Sequence, residues 1–112
     1  MESMRLFKIA RLIQKELAEY LRGEGRSLAP GSMISVTVVR MSPDLGMAKV
    51  YISVFPSAKA VEVAKILEEH AKSIRFELGK KIAKQVRHIP ELRFYIDDSL
   101  DYAERIDELL KK

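Results

Sequence analysis

Between Pro56 and Pro90 the chain carries one continuous helical stripe. Apolar residues recur at Val61, Ala64, Leu67, Ala71, Ile74, Leu78, Ile82 and Val86, with no proline in the interval. A straight helix over 58–87 would be about 45 Å long at about 1.5 Å per residue. A domain of 112 residues has a radius of gyration of roughly 13 Å, so that rod would overhang the body it has to cover. The run must therefore break. Ser73 and Gly79 are its weakest helix formers, and the break is placed near Ala71-Lys72-Ser73. Ser57, after Pro56, is the expected N-cap of the first half.

The flanking segments supply a sheet and one further helix. From Leu6 to Leu21 the apolar positions Leu6, Ile9, Ile13, Leu17, Tyr20 and Leu21 follow steps of three and four, while Lys8, Arg11, Lys15 and Arg22 share the polar side. The glycine-rich stretch 23–31 ends this helix. Residues 33–40 are rich in β-branched side chains, with Ile34, Val36 and Val38 expected on one face. Residues 47–55 alternate, with Ala48, Val50, Ile52 and Val54 inward and Lys49, Tyr51 and Ser53 outward. Pro43 and Asp44 suit the centre of a type I turn, so the two strands form an antiparallel hairpin. Residues 91–97 give a third strand with Leu92, Phe94 and Ile96 inward. Ser99 caps a short C-terminal helix carrying Leu100, Ala103, Ile106 and Leu110.

Each strand has one apolar face, so helices cover one side of the sheet and leave the other wet. The expected fold is α+β, a single domain over 1–112. Its order is helix, strand, strand, helix, kink, helix, strand and a short C-terminal helix. The long crossover between the second and third strands favours a mixed three-stranded sheet.

Several function classes fall away. The chain has no cysteine, hence no disulfide framework and no thiolate metal site, which fits a reducing cytoplasm. No apolar run approaches the roughly 20 residues that span a bilayer, and the N-terminus alternates charge with apolar residues, unlike a secretory signal. His70 and His88 lack metal-ligand spacing, and Asp97-Asp98 read better as a strand end than as a cation site. No phosphate loop, no G-x-S-x-G elbow and no cysteine nucleophile is present. Neither an enzyme nor a cofactor is expected. A monomer is, since no heptad seam is left over.

Charge is concentrated rather than large. The formal net charge is +4, yet residues 72–93 hold seven basic side chains against Glu77 and Glu91, while 94–112 hold six acidic against three basic. That acidic end does not favour RNA and marks an edge facing solvent or a protein. On a helical wheel Lys72, Lys80, Lys81, Lys84 and Arg87 centre opposite the stripe of Ile74, Leu78, Ile82 and Val86. Arg75 falls at the edge of that stripe, where pairing with an acidic residue competes with an RNA role. Phe76 projects near the basic side, either to stack on a base or to pack beneath the junction. Cations along phosphates with an aromatic ring against a base suit single-stranded or irregular RNA. On the outer sheet face Tyr51 and Tyr95 stand beside Lys49 and Arg93, a pattern that serves RNA binding or plain cross-strand pairing.

The order of elements resembles the type II KH fold, which grips RNA where its consecutive helices meet. More specifically, the chain resembles the ribosome-binding factor A family of bacterial small-subunit assembly factors. Three stretches carry the likeness: Met41-Ser-Pro-Asp-Leu-Gly-Met-Ala-Lys-Val-Tyr-Ile-Ser53, then Ile74-Arg75 with Leu78-Gly79-Lys80, then Pro90-Glu-Leu-Arg-Phe94 through Asp97-Asp98-Ser99. The family replaces the KH glycine loop by an Ala-x-Gly kink, whose positions here are Ala71, Lys72 and Ser73, with serine where glycine is usual. The resemblance implies binding to 16S rRNA within the free small ribosomal subunit and help in its late maturation. The residues expected at the RNA are Ala71, Lys72, Ser73, Arg75, Lys80, Lys81, Lys84 and Arg87, with further contacts from Lys8, Arg11, Lys15, Lys49 and Arg93. Two other readings stand beside it: a generic KH-like single-strand binder, and an adaptor whose basic helix docks an acidic protein.

Overall fold

The computed structural model describes residues 2–97. The first amphipathic run forms α1, Glu2–Arg22, and a 3-10 turn over Glu24–Leu28 follows it. Gly25 is required there, because an added Cβ would lie 2.7 Å from the Tyr20 ring. Burial, with lesser help from Glu77 and Glu24, raises the Tyr20 pKa above its ordinary value. Strands β1, Met33–Met41, and β2, Met47–Phe55, make the expected hairpin. Helices α2, Ala60–Glu69, and α3, Ala71–Ile82, lead to β3, Glu91–Ile96. The strand order is β1-β2-β3, antiparallel on the first side and parallel on the second, so the sheet is mixed. The expected C-terminal helix after Ser99 lies outside the described residues.

Every described helix packs on one sheet face. Ile13 and Leu17 of α1, Leu67 of α2, and Ile74 and Ile82 of α3 are fully buried in one core with Val50 and Ile52 of the central strand. Burying each such side chain contributes roughly 1.5–3 kcal/mol. The edge of β3 is protected as well, since the Phe94 N–H donates to Glu68 Oε1 of α2 at 2.7 Å.

Five local expectations are corrected. Val39, rather than Val38, is buried, because the pairing shifts between Val36 and Val38. The extra residue turns the strand's phase over, and the Gln14 amide of α1 donates to the Val36 and Thr37 carbonyls at 3.3 and 3.1 Å. Ser57 caps nothing; it opens a 3-10 turn over Ser57–Lys59, and α2 starts at Ala60. The helix break sits at His70 (φ −101, ψ 13), one residue ahead of Ala71, so Ala71, Lys72 and Ser73 are the first turn of α3. Finally, α3 stops at Ile82 instead of reaching 87. The chain has to turn back there so that Glu91 N–H can reach the Gly46 carbonyl, at 2.9 Å, and start β3 beside β2. Ile96, expected inward, is exposed at the end of its strand.

Arg75 holds that return in place. Its Nε donates to the Ile89 and Pro90 carbonyls at 3.1 Å each, and Nη2 donates to Ile89 at 2.6 Å. The hairpin loop is organised by Asp44, whose Oδ1 accepts from Ser42 Oγ at 2.7 Å and from Gly46 N–H at 2.9 Å. The Leu45 N–H bonds the Ser42 carbonyl at 2.9 Å, placing Pro43 and Asp44 at the turn centre as expected. Leu45 is left at φ 62, a conformation a leucine adopts only when its surroundings enforce it.

Two outcomes follow from these contacts. Replacing Arg75 by Met strips two carbonyls of a charged donor and should cost about 2 kcal/mol in a denaturant melt. The hydrogen bonds from Ser42 and Gly46 hold the Asp44 pKa below its ordinary 3.8. A depressed carboxylate pKa gives a contribution present above the unfolded value and lost as pH falls through the folded one. Exchange protection of the Gly46 amide should thus persist through pH 3.8 and be lost only at the lower pH where the folded carboxyl takes up its proton, whereas Asp44→Ala should lack it at neutral pH.

Candidate nucleic-acid interface

Three shallow grooves adjoin one another around the helix layer. The first runs along α3 and is lined by Lys72, Arg75, Phe76, Gly79, Lys80, Arg87, His88 and Ile89. Arg87 and His88 also line the second, where the turn after α3 (Lys84, Arg87, His88) meets the start of α1 (Arg5, Lys8) and Leu45. Lys8 continues into the third, between α1 and β1, with Arg11, Lys15 and Arg22. Ten of the chain's 20 Lys and Arg residues line the belt these three grooves form, and among the described residues no carboxylate does. Glu68, Glu69 and Glu91 line a neighbouring groove that meets the belt at Lys72, Arg75 and His88. A continuous strip of one sign outweighs the modest net charge in attracting a polyanion.

One aromatic ring, Phe76, lines the strip, and a second, Phe7, stands beside it at Arg11. Phe76 is 66% exposed, which overturns packing beneath the junction, and Lys80 Nζ stands 4.8 Å from its ring centroid. Phe7 of α1 is 61% exposed, with Arg11 Cζ 5.8 Å from its ring. Both pairs have the helical i, i+4 spacing that brings side chains together. Lys80 also meets Glu77 at 3.5 Å, an exposed pair weak enough to give way to a phosphate.

The expected residues divide into groups. Lys72, Lys80, Lys84 and Arg87 come together in the belt, as do Lys8, Arg11 and Lys15. Lys84 and Arg87 arrive there from the turn after α3, so the wheel that grouped them with Lys80 does not describe their placement. Lys81 is exposed but lines none of the three grooves. Arg75 lines the α3 groove while its guanidinium is committed to carbonyls rather than to an acid. Ala71, Lys72 and Ser73 form a helix start, where N–H groups lack intrahelical partners and the macrodipole is positive. Lys49 and Arg93 lie on the opposite face of the sheet, which no described helix covers.

Arg5, Arg22, Phe7 and His88 are contributors outside the sequence-derived set. Phe7-x-x-x-Arg11 repeats the spacing of Phe76-x-x-x-Lys80 and is legible in the sequence. His88 gives no such signal, since only the fold brings it beside α1. Among the described residues no three His, Cys, Asp or Glu side chains are grouped to hold a metal ion, and no helix is long and apolar enough to cross a membrane.

Comparison with known proteins bears on this arrangement. The sequence model of one family, described as ribosome-binding factor A, matches residues 5–110. The chain is 48% identical over 112 residues to ribosome-binding factor A of Cytophaga hutchinsonii, covering 100% of this chain and 84% of that protein. It is 44% identical over 111 residues to ribosome-binding factor A of Flavobacterium psychrophilum, covering 98% and 85%. These relatives are named as binding factors, not as enzymes. The crystal structure of ribosome-binding factor A from Thermus thermophilus superposes with a TM-score of 0.57 at 21% identity, covering 75% of this chain and 91% of that one. That likeness is one of fold, the KH-like α+β arrangement with its mixed three-stranded sheet. By the family match and by identity over its whole length, the chain belongs to the ribosome-binding factor A family.

Proposed function

We propose that this protein binds the immature small ribosomal subunit and assists the late maturation of its 16S rRNA, as a monomer in the cytoplasm and without catalysis. The observation that carries the reading is the basic belt on α1, α3 and the turn after α3. Membership of a family whose members are named for binding the ribosome supports ribosomal RNA as the partner.

The belt has the parts that irregular RNA requires. Lys72, Lys80, Lys84 and Arg87 neutralise phosphates around the helix junction, with Lys81 beside them and the start of α3 at Ala71 and Ser73 adding its positive dipole end. Lys8, Arg11 and Lys15 extend the track along α1. Phe76 and Phe7 offer ring faces to unpaired bases, as single-stranded segments of rRNA need. Arg75 acts through position, fixing the return segment so that Arg87 faces α1. Binding of this kind is sensitive to salt and reads shape more than sequence.

The test is sucrose-gradient co-sedimentation of the protein with separated ribosomal fractions, beside a Lys80→Glu/Lys81→Glu/Lys84→Glu variant. Wild type should travel with free small subunits and avoid complete ribosomes, and the variant should stay at the top of the gradient. Equal sedimentation of the two overturns the belt as the contact. Absence of wild type from small-subunit fractions, with binding to unrelated single strands, gives a generic RNA binder. Binding that survives nuclease digestion of the RNA gives a protein adaptor.

A further inference from the structure

We propose that the sheet face left open by the described helices is a second RNA-binding surface, which holds a single strand with its phosphates along Arg40, Lys49 and Arg93 and an unpaired base on the Tyr95 ring. The proposal goes beyond the helix belt and needs only that the protein meets RNA.

The register aligns the three cations. Arg40 pairs with Lys49 across β1 and β2, and Lys49 pairs with Arg93 across β2 and β3. Directly paired strand residues point to the same face, and all three are exposed. With strands about 4.8 Å apart, they form a transverse row about 10 Å long. Like charges set directly opposite each other destabilise a sheet. The described ion pairs offset them only once, where Arg93 meets Glu91 at 3.8 Å with both side chains well exposed. Asp97 is the one carboxylate lining the depression on this face, and it accepts a hydrogen bond from Thr37 Oγ1. A polyanion would offset the positive charge that the described ion pairs leave.

A second row runs beside the first. Tyr51 and Tyr95 lie two residues along from Lys49 and Arg93 and are themselves register partners. Their rings stack with centroids 5.5 Å apart and planes 28° from parallel. Tyr95 is on an edge strand and remains 42% exposed, so the stack presents an open end. The rows are about 7 Å apart along the strands. An RNA strand laid across the sheet would set its backbone over the cations and its bases over the rings. An acidic protein would use the cations and leave the aromatic platform unexplained, which is why the occupant is a single strand. Because the belt belongs to the helix layer, the two surfaces would let one chain hold two RNA segments at once.

The experiment uses the full chain and a short fluorescein-labelled oligouridylate, read by anisotropy across a salt series. An Arg40→Gln/Lys49→Gln/Arg93→Gln variant should lower the slope of log affinity against log salt by about 2, at about 0.7 per single-strand phosphate contact. Tyr95→Ala should weaken binding about tenfold. In an NMR titration, the Tyr95 ring signals should shift in wild type and also in a Lys8→Glu/Lys84→Glu/Arg87→Glu belt variant. Thermal melts check folding, and Lys49→Gln alone serves if the triple variant does not fold. Wild-type affinity and slope in the sheet variants, or unmoved Tyr95 signals at saturation, overturn the proposal and leave the belt standing if its variant loses binding. Loss in the sheet variants alone sustains the proposal and removes the belt. Failure of wild type to bind the oligonucleotide, with polyglutamate bound instead, places a protein there and overturns it.

Discussion

For β3 to lie parallel to β2, the chain leaving Phe55 has to travel back along the whole sheet before it can pair. Strand β2 runs from the hairpin loop to Phe55, and β3 begins at Glu91 beside Met47, again at the hairpin end. Nine residues of strand span about 30 Å, and α2 and α3 end to end supply about 33 Å. One straight rod over the whole interval would overshoot. The break at His70 keeps both apolar faces on the sheet, and the stop at Ile82 leaves enough chain to turn. Arg75 then fixes Ile89 and Pro90, so the β3 start, the turn bearing Lys84 and Arg87, and the belt itself depend on one return path.

How much of this the sequence reveals differs from element to element. Strand β2 reads correctly because Lys49 and Ser53 alternate with the apolar Ala48, Val50, Ile52 and Val54 and so fix which face is inward. Strand β1 offers no such contrast over Val36-Thr-Val-Val39, so nothing local says which valine is buried. The bulge is decided by Gln14, more than twenty positions away in the chain. The end of α3 is hidden for the opposite reason. Val86 continues the apolar stripe in step, and it is indeed buried at 8% exposure, but in a turn rather than a helix. Periodicity reports which side chains enter the core and is silent on the backbone that carries them.

The site shows the same division. Lys72 and Lys80 come from a single helix, so a wheel suffices to group them. Lys84, Arg87 and His88 join Arg5 and Lys8 only through the packing of the turn against α1, which no spacing encodes. Acidic residues follow a complementary rule. Glu68 is spent on the β3 edge at Phe94, and with Glu69 and Glu91 it lines a groove that meets the belt at Lys72, Arg75 and His88. Keeping these acids to one margin lets a chain of net charge +4 present a long cationic surface.

Serine at position 73 fits this picture. A glycine is needed where the backbone takes a positive φ or where another atom crowds the Cα. His70, which carries the break, has φ −101 and ψ 13, a conformation open to any L-residue. Ser73 is three residues beyond it, exposed and within regular helix. The bend is therefore set by how α2 and α3 each seat their apolar residues on the sheet, with Leu67 on one side and Ile74 on the other, both fully buried. A kink imposed by packing survives the loss of glycine, and it holds Lys72 and Phe76 on the outer side of the junction whichever small residue occupies position 73.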